Sequence, residues 1–239
     1  MWKPEVSVIL PVYNEEENLP ILVPQIVDTL KPLGKIFEII LIDDGSTDKS
    51  FNTIKELGSM FMEVRYIKFK KNAGQSAAFD AGFKNALGEI IITLDSDLQN
   101  DPKDIAKLLS YIQEYDVVCG WRADRQDSVV KKISSKIGNG VRNFLTNENI
   151  HDTGCSLKVY KKDVLERIKL YKGMHRFLPT LLKMEGAKVI EVKVNHSPRR
   201  HGKSKYNITN RMFSGFYDVV AVRWMQKRRL CYEIEDRSE

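Results

Sequence analysis

The strongest constraint on the fold of this chain is an alternation of two hydrophobic periods. Apolar runs of strand length, rich in β-branched residues, predict strands at 5–11, 36–42, 63–69, 89–94 and 116–119. Between them, amphipathic stretches at 17–30, 48–58, 75–86 and 103–112 predict helices, each opening near a cap or loop residue. Such alternation is the mark of βαβ units, so the expected class is α/β, a mainly parallel central sheet with helices on both faces. Sheets of this kind bind ligands at the carboxyl ends of their strands. The segments found there are Pro11-Val12-Tyr13-Asn14-Glu15, Asp43-Asp44-Gly45-Ser46, Asp95-Ser96-Asp97-Leu98-Gln99 and Gly120-Trp121-Arg122. Polar chemistry thus collects where a site belongs.

Composition narrows the class without naming it. A chain of 239 residues with 42% apolar residues, 14 Gly and 8 Pro is neither disordered, collagen-like nor a disulfide scaffold, and its length suits one α/β domain with a large core. No window holds the roughly 18 consecutive apolar residues of a membrane span. Met1-Trp2-Lys3-Pro4-Glu5 runs straight into the first strand, so no signal peptide is expected. Three cysteines, Cys119, Cys155 and Cys231, are odd in number and widely spaced, which fits a reducing compartment. Lys and Arg exceed Asp and Glu by 38 to 32, a formal charge of +6.

Beyond residue 120 the pattern loosens into a basic stretch from Arg122 to Arg142, read as loop plus helix. A short strand at 156–160, a helix at 175–184, a strand at 188–194 and a closing helix at 207–229 are predicted after it. Residues 1–206 read as one catalytic domain and 207–239 as an amphipathic helix with a polar tail.

Asp95 and Asp97 follow an apolar run that is buried on both faces if it is a central parallel strand. Residues i and i+2 of an extended chain point to one side, so both carboxylates can face one hard cation, with Gln99 adding an amide oxygen. The competing reading is a solvated turn ahead of Asn100-Asp101-Pro102. Asp43-Asp44-Gly45-Ser46 reads either as turn-and-cap chemistry or as a carboxylate that accepts hydrogen bonds from a base or ribose. Asn72-Ala73-Gly74-Gln75-Ser76 opens a helix, whose N-terminus favours phosphate or simply caps.

Together these segments, with Asn72-x-Gly74 and Ala86-x-Gly88, resemble the family 2 glycosyltransferases. Gly120-Trp121-Arg122-x-x-Arg125, Asp152-x-Gly154-Cys155, Gly173-Met174-His175-Arg176-Phe177 and Arg199-Arg200-His201-Gly202-Lys203-Ser204-Lys205-Tyr206 resemble its polyprenyl-phosphate group, over about residues 5–225. The resemblance implies a GT-A nucleotide-diphospho-sugar transferase fold and an inverting transfer of a hexose from a nucleoside diphosphate sugar to a polyprenyl phosphate. It implies that Pro11, Tyr13, Glu15, Asp44, Gln75, Asp95 and Ser96 hold the nucleotide, and that Asp95, Asp97 and Gln99 hold Mg²⁺ or Mn²⁺ and the diphosphate. Related enzymes carry an acidic residue at the position of Asp152, acting as base or orienting the acceptor; the alternative there is a cap for the Thr153-Gly154 turn. His175 falls in the family pattern as a site-supporting residue, whereas His151 and His196 read as surface or core histidines.

A lipid monophosphate with a second pKa of about 6 is already anionic near neutral pH and attacks C1 without a strong base. Catalysis then rests on positioning and electrostatics, and Arg122, Arg125, Arg200, Lys203 and Lys205 are the candidate phosphate clamp. Gly202-Lys203-Ser204-Lys205 beside Arg200 reads as a segment able to fold over bound phosphates. A hydroxyl acceptor would instead require a true base, for which Asp152 is the obvious residue. A non-catalytic sugar-nucleotide-binding scaffold is the remaining alternative.

In the last helix Ile208, Met212, Phe213, Phe216, Val219, Val220 and Trp224 recur at three- and four-residue spacing ahead of Lys227-Arg228-Arg229. That pattern is either core packing or a surface helix lying on anionic lipid. The expected partners are therefore a nucleotide sugar, a polyprenyl phosphate and a membrane or membrane-anchored subunit, at the cytoplasmic face. Many relatives continue from here into transmembrane helices, so the chain reads as a single-domain member or as a piece of a longer one. The basic excess gathers in these phosphate-facing segments, which argues against nucleic acid.

Overall fold

A computed structural model describes residues 3–123, 140, 142–143, 145–146, 148–199, 208–230, 232 and 235–236, and the side chains among these except in 208–214. Seven strands form one sheet: β1 (Val6–Val12), β2 (Phe37–Asp43), β3 (Val64–Lys68), β4 (Ile90–Thr93), β5 (Val117–Trp121), β6 (Lys158–Lys161) and β7 (Val189–Lys193). Their spatial order is β3-β2-β1-β4-β6-β5-β7. The first four named in that order run parallel, β6 runs antiparallel to both its neighbours, and β5 pairs in parallel with β7. Expected strand positions agree with these to within about two residues, but the antiparallel direction of β6 was not legible in its short run.

The helices whose bounds fall wholly among the described residues are α1 (Leu19–Leu30), α2 (Ser50–Met60), α3 (Gln75–Asn85), α4 (Asp104–Leu109), α5 (Lys162–Leu165), α6 (Leu178–Met184) and α7 (Ile208–Arg228); residues 140, 142–143 and 145–146 are helical too. The helix expected at 103–112 is shorter than its pattern, and the one expected at 175–184 starts as a 3₁₀ turn, Met174–Phe177. The short α5 had no counterpart in the sequence reading.

Alternation along the central strands explains why both sheet faces are covered. Val6, Val8, Leu10 and Val12 of β1 pack with Leu22, Val23 and Ile26 of α1, while Ile9 packs with Ala78 and Phe79 of α3. In β2, Ile39 and Leu41 share the first layer and Ile40 and Ile42 the second. The α1 residues that are buried, Leu19, Leu22, Val23, Ile26, Val27 and Leu30, follow the three- and four-residue spacing of one helical face. A smaller cluster joins Met174, Phe177 and Leu181 to Val219 and Val222 of α7.

One polar network crosses this core. Glu38 is fully buried in β2, where it accepts hydrogen bonds from Ser7 Oγ and the Leu87 amide, each at 2.6 Å, and pairs with Arg65. Ser7 Oγ in turn accepts the Gly88 amide at 2.8 Å. A Cβ on Gly88 would lie 2.8 Å from the Ser7 amide nitrogen and from the Val6 carbonyl carbon, backbone atoms that cannot swing aside. Gly88→Ala is therefore expected to destabilise the fold by about 1–3 kcal/mol, the range for overpacking, measured as a lowered urea midpoint with unchanged slope.

Candidate active site

Because β1 is flanked by β2 on one side and β4 on the other, the chain reverses its direction of travel across the sheet between β1 and β4. The crevice beyond their carboxyl ends is the topological switch point of an open α/β sheet. Three loops meet there, and their side chains tie them together.

Asn14, in left-handed conformation at φ 54°, accepts the Thr47 amide on Oδ1 at 2.7 Å, and its own amide donates to Ser46 Oγ at 3.0 Å. Glu15 donates its amide to Ser50 Oγ at 2.7 Å, and its carboxylate accepts Asn18 Nδ2 at 2.6 Å. The β1 and β2 loops are thus stapled by short polar side chains suited to turns. Asp44, 4% exposed, accepts the Ala73 and Gly74 amides at 2.6 and 2.9 Å and Asn72 Nδ2 at 3.0 Å. Burial raises its pKa, partly opposed by those backbone hydrogen bonds. Gly45 between the loops is obligatory: φ is +72°, and a Cβ would meet the Asn72 amide nitrogen at 2.6 Å.

At the end of β4, Asp95 Oδ1 accepts Gln75 Nε2 from the start of α3 at 2.7 Å, and its amide donates to Ser156 Oγ at 3.0 Å. Ser96 points the other way, donating to the Pro11 carbonyl at 2.8 Å and locking the β4 loop to β1. Asp97 Oδ1 accepts the Gln99 amide at 3.2 Å. Its Oδ2 accepts Arg199 Nη2 at 2.6 Å, and Arg199 Nη1 stands 3.9 Å from Glu15 Oε1. Arg199 therefore spans the β1 and β4 loops. It belongs to the basic segment singled out in the sequence but not to the candidate clamp; the only signal for it was that membership.

Burial, followed by the charge of Asp97, pushes the Asp95 carboxyl up to about 6, against the Ser156 hydrogen bond and the charges of Arg122 and Lys158. The folded value exceeds the usual 3.8, so folding favours the protonated form, and the stability this carboxyl contributes is greatest below about pH 4 and is lost as pH rises through about 6. A cation facing both carboxylates would relieve that repulsion. Among the described residues no group of three or more His, Cys, Asp or Glu forms a closed metal cage. Two carboxylates at a strand end fit instead a hard divalent ion that takes its remaining ligands from phosphate and water.

On the far side of β4, Asp152 and Arg122 form a forked pair. Arg122 Nε and Nη2 donate to Asp152 Oδ2 and Oδ1 at 2.7 and 3.0 Å, and the Arg122 amide donates to Oδ2 at 3.3 Å. Burial by itself would lower the Arg122 pKa, but the hydrogen bond and charge of Asp152 outweigh it and hold the guanidinium cationic. The Asp152 carboxylate is thus engaged on both oxygens. Lys158, itself buried, donates to the Thr153 carbonyl at 3.3 Å and to that of Cys155, shaping this loop from below. His175 Nδ1 lies 2.7 Å from Ser76 Oγ, which also accepts the Gly173 amide at 3.0 Å, so the 173–177 turn is tied to the start of α3. Arg125, Arg200, Lys203 and Lys205 lie outside the described residues.

Residues 7–169 match the family described as Glycosyl transferase family 2, and the chain belongs to that family. A dodecaprenyl-phosphate galacturonate synthase of Rhizobium johnstonii is 37% identical over 229 residues, covering 93% of this chain and 68% of that protein. An undecaprenyl-phosphate 4-deoxy-4-formamido-L-arabinose transferase of Pectobacterium carotovorum is 39% identical over 217 residues, covering 90% of this chain and 66% of its own length. The chain thus spans about two thirds of these relatives, whose names describe polyprenyl-phosphate sugar transferases. Glucosyl-3-phosphoglycerate synthase from Mycobacterium tuberculosis, in complex with Mn²⁺, uridine diphosphate and phosphoglyceric acid, superimposes with a TM-score of 0.68 at 16% identity. That match covers 93% of this chain and 78% of the other, and the shared architecture is the GT-A fold.

Asp97→Asn removes the second cause of the Asp95 shift while leaving the first. The Asp95 pKa is expected to fall from about 6 yet stay above 3.8, read from the pH titration of its carboxyl carbon by NMR.

Proposed function

We propose that this protein transfers a hexosyl group, with inversion, from a nucleoside diphosphate sugar to a polyprenyl phosphate. The observation that carries the choice of acceptor is the Asp152–Arg122 fork. A hydroxyl acceptor needs a base, and the acidic residue best suited to that role has both carboxylate oxygens committed to a guanidinium. A phosphate monoester, already anionic near neutral pH, needs none. What it needs is a fixed cation, and a paired, partly exposed arginine is one.

In this reading Pro11, Tyr13, Glu15, Asp44, Gln75 and Ser96 build the nucleotide crevice. Asp44 acts chiefly by ordering the 72–74 loop, and Ser96 by locking the β1 and β4 ends together. Asp95, Asp97 and Gln99 would hold Mg²⁺ or Mn²⁺, which when bound supplies charge stabilisation for the departing nucleoside diphosphate. Gln75 orients Asp95 through its amide. Arg122 orients the acceptor phosphate, with Arg125, Arg200, Lys203 and Lys205 proposed to complete the clamp. Positioning two anions and stabilising the leaving group is the whole catalytic task.

The helix α7 supports work at a membrane surface. Val219 and Val222 face inward onto Met174, Phe177 and Leu181, while Phe216, Tyr217, Val220 and Trp224 stay 48–76% exposed. Lys227 and Arg228 end the helix, with Arg229 exposed beside them. The apolar stripe expected from the sequence therefore divides into a packed side and an outward side. An outward aromatic side beside a basic end suits an anionic bilayer at the cytoplasmic face. Among the described residues no helix is long and apolar enough to cross a membrane.

Asp97→Ala is expected to abolish sugar transfer to undecaprenyl phosphate, assayed with UDP-sugars and GDP-mannose in Mn²⁺, while circular dichroism shows an intact fold. Wild-type turnover by this variant would overturn the metal assignment, and transfer by the parent protein to a saccharide hydroxyl but to no lipid phosphate would overturn the acceptor. Separately, replacing Phe216 and Trp224 together by Ser should lower cosedimentation with phosphatidylglycerol vesicles by at least about ten-fold, since each large apolar side chain contributes about 1.5–3 kcal/mol on burial.

A further inference from the structure

Arg122 is held by Asp152, but what holds Asp152 lies on another strand. Glu191, in the edge strand β7, is 13% exposed and turns its carboxylate onto the loop that carries Asp152. Its Oε1 accepts the backbone amides of His151 and Asp152, both at 3.0 Å. Its Oε2 accepts the His151 amide at 2.9 Å and meets the His151 ring at Nδ1, 2.8 Å away. One carboxylate therefore gathers two successive backbone N–H groups and one imidazole.

The two residues so held each engage one residue at the end of β5. The His151 ring stacks on Trp121, with centroids 4.4 Å apart and planes at 22°, and the Asp152 carboxylate forks onto Arg122. Trp121 is also covered by Lys193 of β7, whose Nζ is 5.3 Å from the ring centroid. The register sets this up: Cys119 lies opposite Glu191 and Trp121 opposite Lys193 in the β5–β7 ladder. The loop is cut to fit the pair, since a Cβ on Gly154 would stand 3.2 Å from Arg122 Nη2 and 3.5 Å from Asp152 Oδ1.

We infer that Glu191 is a positioning residue for the acceptor phosphate: by capping the His151 and Asp152 amides it fixes the Asp152 carboxylate, which aims the Arg122 guanidinium. The inference rests on the proposed role of Arg122 toward a phosphate. Glu191 touches neither reactant; it removes rotational freedom from the group that does. A guanidinium held in one orientation loses less freedom on meeting its anion than a mobile one. A glutamine oxygen in the place of Oε1 keeps both amides, but its Nε2 then faces the His151 N–H that Oε2 accepts, so glutamine replaces Glu191 only in part.

The test uses the full chain with Glu191→Gln, Glu191→Met, Glu191→Ala, Arg122→Ala and the double variant Glu191→Ala/Arg122→Ala. Farnesyl phosphate is the soluble acceptor probe and UDP with Mn²⁺ the donor probe, both by calorimetry. Glu191→Ala and Glu191→Met should weaken farnesyl phosphate by about ten-fold, roughly the worth of one lost hydrogen bond to the ordered loop, and leave UDP within about two-fold. Glu191→Gln, which keeps the acceptor for the Asp152 amide, should fall between the parent and Glu191→Ala. On the Arg122→Ala background Glu191→Ala should add nothing, the signature of one shared pathway. The Nε–H resonance of Arg122, sharp in the parent, should broaden in Glu191→Ala and Glu191→Met and less so in Glu191→Gln. An unchanged Arg122 resonance, or an equal loss with and without Arg122, overturns the inference. An Arg122→Ala variant that binds farnesyl phosphate as the parent does overturns the acceptor role of Arg122 instead, and the resonance still reports whether Glu191 aims it.

Discussion

The mutual repulsion of Asp95 and Asp97 organises much of what surrounds them. Placing two carboxylates at the buried end of β4 is unfavourable unless positive charge or hydrogen-bond donors are supplied nearby. The chain supplies them from four directions: Gln75 from the start of α3, Arg199 across the loop mouth, and the charges of Lys158 and Arg122 from the β6 and β5 side. Two of these groups are themselves anchored, Lys158 on the carbonyls of its own loop and Arg122 on Asp152. Charge balance in the crevice is thus distributed over contacts that are far apart in sequence.

How much of this was legible beforehand follows from the range of each signal. Period-two and helical patterns are local, so strands such as β1, β2 and β4 and the long helices fall close to their expected places. The carboxyl-end rule then located the crevice, because Asp43, Asp44, Asp95 and Asp97 stand directly after apolar runs. Direction in a sheet is not local: nothing within residues 158–161 says that β6 runs against its neighbours. The partners of the site residues are less local still. Arg199 and Asp97 are 102 residues apart, and Glu191 and Asp152 are 39 apart. A single charged residue on an edge strand carries no periodic mark. Glu191 looks like ordinary solvated surface until β7 is seen beside β5.

The family resemblance supplied roles that composition and spacing do not, and the geometry sharpens several of them. Asp44 and Ser96 are engaged with backbone groups of neighbouring loops, so each orders the crevice whatever else it touches. Asp152 is committed to Arg122, and His175 to Ser76. Such fixed networks favour preorganisation over adaptability, which suits a reaction whose barrier is lowered by charge placement.

The single antiparallel strand joins two parts of the sheet that act on one crevice. β6 separates the sheet into a parallel block, β3-β2-β1-β4, and a short outer pair, β5-β7. The first block is sealed between helices and tolerates little change, because its residues are packed on both faces. The outer pair is packed as well, with Val118 in one layer and Val117 and Cys119 in the other, and β7 is its open edge. Substitutions at Arg122 or Asp152 therefore reach the nucleotide crevice across β6, because the charge of Arg122, fixed by Asp152, falls on Asp95.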